Sequence, residues 1–216
     1  MTVASFARKI VRISFKKRIA CLLVLLLFEA PWAASVPVDS SKYAKVDLYL
    51  DLGLTQKAAS LMSNFKDKSD PSYHYYQGRI ASMFKQNQQS VQHYQKAIEL
   101  DPKHAKSFAS MALVKGRMGQ LQDALKDLDR AIAIDPGYAK AYSNRGVTRG
   151  ALQQNQAAIS DFTQAIRLDP RLADAYRNRG ITKEMEGDLN GACSDWKIAA
   201  SLGQEGPKQW ASAQCQ

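Results

Sequence analysis

The sequence predicts an all-α protein, a solenoid of stacked antiparallel helix hairpins. Asp-Pro recurs at Asp101-Pro102, Asp135-Pro136 and Asp169-Pro170, at a constant interval of 34 residues. Each pair closes the same phrase: Ala97-Ile98-Glu99-Leu100, Ala131-Ile132-Ala133-Ile134 and Ala165-Ile166-Arg167-Leu168. Each period also holds two apolar stripes at helical spacing. A fixed period of this length marks an array whose units bury their cores against one another. The composition agrees. Of 216 residues, 45% are hydrophobic and 23% charged, which argues against a disordered chain, a collagen or a polytopic membrane protein.

The N-terminus is a separate element. Arg8, Lys9, Arg12, Lys16, Lys17 and Arg18 precede the apolar run Ile19–Phe28, and the small residues Ala33, Ala34 and Ser35 follow it. Basic, then apolar, then small is the layout of a secretory signal peptide. Ten helical residues span about 15 Å, half of a hydrocarbon core of about 30 Å. The sequence therefore predicts a leader over 1–35, cleaved after Ser35, with an uncleaved N-terminal membrane anchor as the alternative. Cys21 stands at the start of the apolar run behind Arg18, which excludes a lipid-modified cysteine. Export to the bacterial periplasm fits this leader; a thylakoid lumen or a eukaryotic secretory route remains open. The formal net charge is +10. Half of it, six basic groups against Glu29, lies in residues 1–35. The rest is a mild positive bias, compatible with an acidic partner or a membrane surface and a weak argument for nucleic acid.

Four windows follow: 71–104, 105–138, 139–172 and 173–206. In 105–138, Phe108, Met111, Ala112 and Val114 give one helix and Gly119-Gln120 breaks it. Leu121, Ala124, Leu125, Leu128, Ala131 and Ile132 give the second. Pro136 stops that helix at Asp135. Small residues at the eighth and twentieth places (Gly146 and Ala158, Gly180 and Ala192, Ala112 and Ala124) let the two helices approach. Aromatic residues at the fourth and twenty-fourth places, Tyr142 with Phe162 and Tyr176 with Trp196, are expected to plug the ends.

The period, these fixed places and the phrases Tyr142-Ser-Asn-Arg-Gly146 and Tyr176-Arg-Asn-Arg-Gly180 resemble the tetratricopeptide repeat over 71–206. The resemblance implies a right-handed α-solenoid that binds proteins. Residues 36–70 read as a degenerate first hairpin, with Gly53 at its turn and Ala58, Met62 and Phe65 on its second helix, its register offset by one residue. Residues 207–216, with Trp210 at the aromatic place, read as a capping helix over the last repeat.

No constellation for catalysis is visible. His74, His93 and His104 are scattered without ligand spacing, and there is no Gly-rich phosphate loop and no Gly-x-Ser-x-Gly phrase. The expectation is a chain that is not an enzyme and needs no cofactor or metal. Once the leader is removed two cysteines remain. Cys193 lies on the face of the last second helix that meets the cap carrying Cys215, so the pair is a candidate disulfide, with two unrelated thiols as the alternative. Arg145 and Arg179 stand where the family usually has Leu, and Asp161 and Asp195 follow 16 residues later. They are expected to form ion pairs across each hairpin. Asp127 faces Met111 instead and must find another partner.

In the resembling family the first helices line a concave groove. Its facing places carry over to Tyr75, Tyr76, Arg79, Lys106, Ser110, Arg117, Lys140, Ser143, Asn144, Arg177, Asn178 and Glu184. Asn144 and Asn178 take the same place in successive repeats, similar to the asparagine ladder of the O-linked N-acetylglucosamine transferase superhelix. A carboxamide can donate to and accept from an extended backbone; the alternative is that the two cap or hydrate helices. Ala109, Leu113 and Asp174 depart from the clamp that holds a terminal carboxylate in some members. The expected function is a protein-binding scaffold or assembly factor for an extended, somewhat acidic polypeptide. The alternatives are a membrane-anchored accessory factor in assembly of a membrane complex and, less favoured, a helical-repeat RNA-binding protein.

Overall fold

In a computed structural model the described residues are 43–207 and Cys215. The expected leader and anchor, and most of the expected cap including Trp210, lie outside them. Besides 205–207, which are helical as well, the described residues contain ten complete helices and no strand. They are α1 (Ala44–Asp51), α2 (Thr55–Ser63), α3 (Pro71–Met83), α4 (Asn87–Leu100), α5 (Ala105–Arg117), α6 (Leu121–Ile134), α7 (Ala139–Ala151), α8 (Asn155–Leu168), α9 (Ala173–Met185) and α10 (Leu189–Ser201). From α3 onward the helices start at the first and seventeenth places of each window. From α4 onward each second helix packs on the first helix of its own hairpin, and α2 packs on α3. α4, α6 and α8 also pack on the first helix of the next hairpin, and successive first helices touch. That is the stacking of a solenoid, with the first helices side by side as one wall.

The helix ends follow from local chemistry. Pro71 sits at the start of α3, where its missing N–H costs nothing, and the Asp70 carboxylate accepts from Ser72 N at 2.8 Å. The second helices stop at Asp101, Asp135 and Asp169, which are extended because a proline follows. Each of these aspartates also accepts from the backbone N–H two residues on, at 2.9, 3.0 and 3.0 Å. The recurring Asp is thus an Asx turn that reverses the chain between hairpins. Within hairpins the turn needs a left-handed residue at the fifteenth place. Gly119 and Gly187 supply it at φ +78° and +84°; Lys85 and Gln153 adopt it at +61° and +60°.

The hairpins close by complementary pairs. A Cβ on Gly78, Gly146 or Gly180 would lie 2.6, 2.7 or 2.5 Å from the ring of Tyr94, Phe162 or Trp196. In 105–138 the same two places hold Ala112 and Leu128, a larger small residue opposite a smaller large one. The ring at the twenty-fourth place therefore packs on the glycine at the eighth. Tyr142 and Tyr176, expected to pair with those rings, carry guanidinium groups instead: Arg145 lies 5.4 Å from the Tyr142 ring and Arg179 5.7 Å from that of Tyr176. Ser90, in place of the usual Ala, is fully buried and donates to Gly78 O at 2.8 Å.

The hairpin α1–α2 has Ala58 and Met62 fully buried. Counted from residue 39, Gly53, Ala58 and Met62 take the fifteenth, twentieth and twenty-fourth places of the regular windows. The irregularity is that α2 has 9 residues where α4 has 14, which brings α3 forward in the sequence.

Candidate functional site

The first-helix wall encloses a groove of about 790 Å³. Tyr75, Tyr76 and Arg79 of α3, Lys106 and Ser110 of α5, Lys140, Ser143 and Asn144 of α7, and Arg177 and Asn178 of α9 line it. Arg117 and Glu184, expected there, do not. Both belong to the last turn of their helices, beyond the groove floor. Arg117 Nη2 donates across the edge to Ser82 Oγ at 2.5 Å, and Glu184 is exposed.

The groove's charge also departs from expectation. Asp47 and Asp51 reach it from α1. Arg79 pairs with Asp47 and lies 3.5 Å from Asp51, and Tyr76 Oη donates to Asp47. Arg79 also lies 5.9 and 5.6 Å from the Tyr75 and Tyr76 rings. It is a sealed end of the groove and no longer a free cation. Asp169 and Asp174 line the other end, where Asp174 lies 3.7 Å from Arg177 and accepts from Gln204 at 3.0 Å. Four carboxylates thus balance four cations. Of the four cations that line the groove, Lys106 and Lys140 are exposed and have no carboxylate within 4 Å among the described residues. Beside them Leu113 and Val147 stand 44% and 46% exposed on the groove floor. Burial raises the Tyr75 and Tyr138 hydroxyls, and pushes Tyr94 up to about 12, so all three are neutral donors at physiological pH.

The sequence missed Asp47 and Asp51 because α1 precedes the regular period. Leu113 and Val147 hold the same ninth place as Arg79, so the period alone marks them as groove residues.

Behind the wall lies a row of buried carboxylates. Arg145 grips Asp161 through Nε (3.0 Å) and Nη2 (2.7 Å), and Arg149 adds a third bond at 2.8 Å. Arg179 grips Asp195 in the same way at 2.8 and 2.7 Å, with Lys183 at 3.0 Å. Asp161 and Asp195 are buried. Asp127, which lacks an arginine opposite, takes Lys115 at 2.6 Å. The cation at the eleventh place (Lys115, Arg149, Lys183) is therefore the constant partner, and the arginine at the seventh is an addition. That arginine also reaches back one hairpin, Arg145 to Asp129 at 2.7 Å and Arg179 to Thr163 at 3.0 Å. These groups tie repeat to repeat and do not open into the groove.

The histidines are less scattered than their spacing implies: the His74 and His93 rings stack at 6.0 Å between α3 and α4. No cluster of three metal-ligating side chains exists among the described residues. Cys193 and Cys215 have Cα atoms 5.5 Å apart, within disulfide reach. Among the described residues no helix is long and apolar enough to cross a membrane.

Tetratricopeptide-repeat family models match residues 72–104 and 139–172, another matches 93–126, and a model described as TPR repeat matches 116–153. Residues 72–172 are thus a run of tetratricopeptide repeats. A search of curated proteins finds no match. Among solved structures, a crystal structure of MamA is 21% identical, covers 76% of this chain and 96% of its own, and superposes with a TM-score of 0.59. MamA 41-end from Desulfovibrio magneticus RS-1 gives 21%, 74%, 95% and 0.58. The first TPR of Spaghetti (RPAP3), bound to the HSP90 peptide SRMEEVD, is 23% identical over 56% of this chain and 96% of its own, with a TM-score of 0.53.

Proposed function

We propose that this chain is a non-catalytic scaffold that holds an extended polypeptide segment of a partner protein in its groove. The carrying observation is the row of like residues along the wall. Asn144 and Asn178 repeat one place on α7 and α9, between flanking side chains of the same groove. Such a row suits a ligand that is itself periodic, as an extended backbone is. The RPAP3 repeat array, bound to a peptide, supports the reading by its fold. We also place the protein outside the cytoplasm, on the basic, apolar and small-residue leader, and with Cys193 and Cys215 joined, on their 5.5 Å separation.

A photo-crosslinking residue at Val147, compared with one at exposed Arg167 on α8, tests the reading. Capture of polypeptide from Val147 but not from Arg167, lost on Asn144→Ala with Asn178→Ala, supports it. Capture only from Arg167 would move the binding face to the second helices and end the proposal.

A further inference from the structure

The chemistry across the groove is ordered into three parallel rows. On α5, Lys106, Ser110 and Leu113 follow one another up the inner face. On α7, Lys140, Asn144 and Val147 do the same. In each helix the cation and the apolar residue are seven positions apart, about 10 Å along the axis, and the polar residue lies between them. The two helices are neighbours, so the rows run continuously from one repeat to the next: cationic on one side, amide and hydroxyl along the middle, apolar on the other.

An extended chain laid over the middle row presents its side chains alternately to the two sides, because successive Cβ atoms point in opposite directions. Its N–H and C=O groups then face the carboxamide of Asn144 below. Over the two central repeats one side of such a chain meets the ammonium groups of Lys106 and Lys140, and the other the aliphatic carbon of Leu113 and Val147. We propose that the occupant of the groove is a segment in which acidic and apolar side chains alternate. The acids sit against Lys106 and Lys140, and the apolar residues sit against Leu113 and Val147.

Both ends of the groove limit the pattern. At the α3 end Arg79 is already satisfied by Asp47 and Asp51, so it offers no place for a further ligand carboxylate. At the α9 end the lysine row is interrupted by Asp174, which stands at the place equivalent to Lys140 and repels an acid. The acidic side chains are therefore confined to the two central repeats. A terminal carboxylate is not required, since the two ammonium groups act as separate point charges. Each exposed lysine contributes modestly alone, and the alternation is recognised because both rows act together.

This inference rests on the groove reading above, and the test separates the two. Three fluorescent peptides are titrated onto the purified chain by anisotropy. The first alternates Glu and Leu at its centre, the second has the same composition with the Glu and Leu residues in separate blocks, and the third alternates Lys and Leu. The alternating acidic peptide is expected to bind at least about tenfold more tightly than the other two. Lys106→Glu with Lys140→Glu should abolish that preference and most of its salt dependence. Leu113→Ser with Val147→Ser should weaken binding and leave the salt dependence unchanged. Equal binding of the first two peptides, still weakened by Asn144→Ala with Asn178→Ala, would overturn the alternation and leave the groove reading standing. Binding indifferent to every groove substitution would overturn both. Circular dichroism of each variant confirms that the solenoid is intact, since all six positions are solvent-accessible wall residues.

Discussion

Removing one cation from each of two equivalent carboxylates should give unequal losses. Asp127 has a single cation, Lys115, at 2.6 Å, and the two side chains are 14% and 17% exposed. Asp161 has two, Arg145 and Arg149. Arg145→Met installs the residue that the seventh place already accepts at Met111, which is 5% exposed, and leaves Arg149 at 2.8 Å from Asp161. Its cost should stay within about 1 kcal/mol. Lys115→Met leaves the Asp127 carboxylate without an ion pair. Breaking a fully buried pair costs about 3–5 kcal/mol, and the residual exposure of Asp127 reduces that to roughly 2–3 kcal/mol. For a chain of this size the thermal midpoint moves about 2–4 °C per kcal/mol. Far-UV circular dichroism should therefore show a fall of about 5–10 °C for Lys115→Met and at most about 4 °C for Arg145→Met. The pH dependence adds an independent sign. Burial already raises the Asp127 carboxyl, and Lys115 holds it down. Without Lys115 the folded state takes up a proton at higher pH than the unfolded state does. Stability gained by that uptake is present at low pH and disappears as pH rises through the folded value. The deficit of Lys115→Met relative to wild type should therefore shrink as pH is lowered from 7 toward about 4. Equal losses in the two variants, or a deficit that acid leaves unchanged, would refute the assignment of the eleventh-place cation as the constant partner.

Other consequences of the packing are open to the same unfolding measurements. Gly180→Ala puts a Cβ 2.5 Å from Trp196 Nε1 and 3.2 Å from the Ala192 carbonyl, where the backbone cannot give way, and should cost about 1–3 kcal/mol. A melting curve matching wild type would show that the hairpin is looser than described. Lys85→Gly and Gln153→Gly relieve left-handed residues at exposed turns, and each should raise stability by about 0.5–1 kcal/mol in a urea titration. Burial lowers the His104 pKa, so the unfolded state protonates first as pH falls below about 6.5 and stability declines there. His104→Gln should flatten that decline, and an unchanged slope would place its origin elsewhere. If Cys193 and Cys215 are joined, intact-protein mass spectrometry finds the chain two hydrogens lighter before reduction. Reduction or Cys193→Ser should then cost about 3 kcal/mol for a loop of about 20 residues.

The architecture was legible in the sequence wherever one residue alone determines backbone geometry. Pro102, Pro136 and Pro170 stop helices by lacking an N–H, and their spacing alone sets the period. Gly146 and Gly180 likewise announced a close approach, because no other residue leaves room for a ring on a helix backbone. What remained hidden depends on two partners chosen jointly. Ala112 opposite Leu128 does the work of Gly146 opposite Phe162, yet neither residue taken singly reveals it. Lys115, Arg149 and Lys183 are each an unremarkable helical cation until the carboxylate 12 positions later is seen to be buried against them. The groove shows the same division. Lys106 and Lys140 were identified by place alone, and their exposure follows from the helix face they occupy. The neutralisation of Arg79 did not follow, since Asp47 lies on a hairpin whose shortened second helix breaks the period. Counting cations along the repeats therefore overstated the positive charge of the wall. Lys106 and Lys140 keep their charge free, because at the corresponding place one hairpin later Asp174 lies against Arg177 of its own helix.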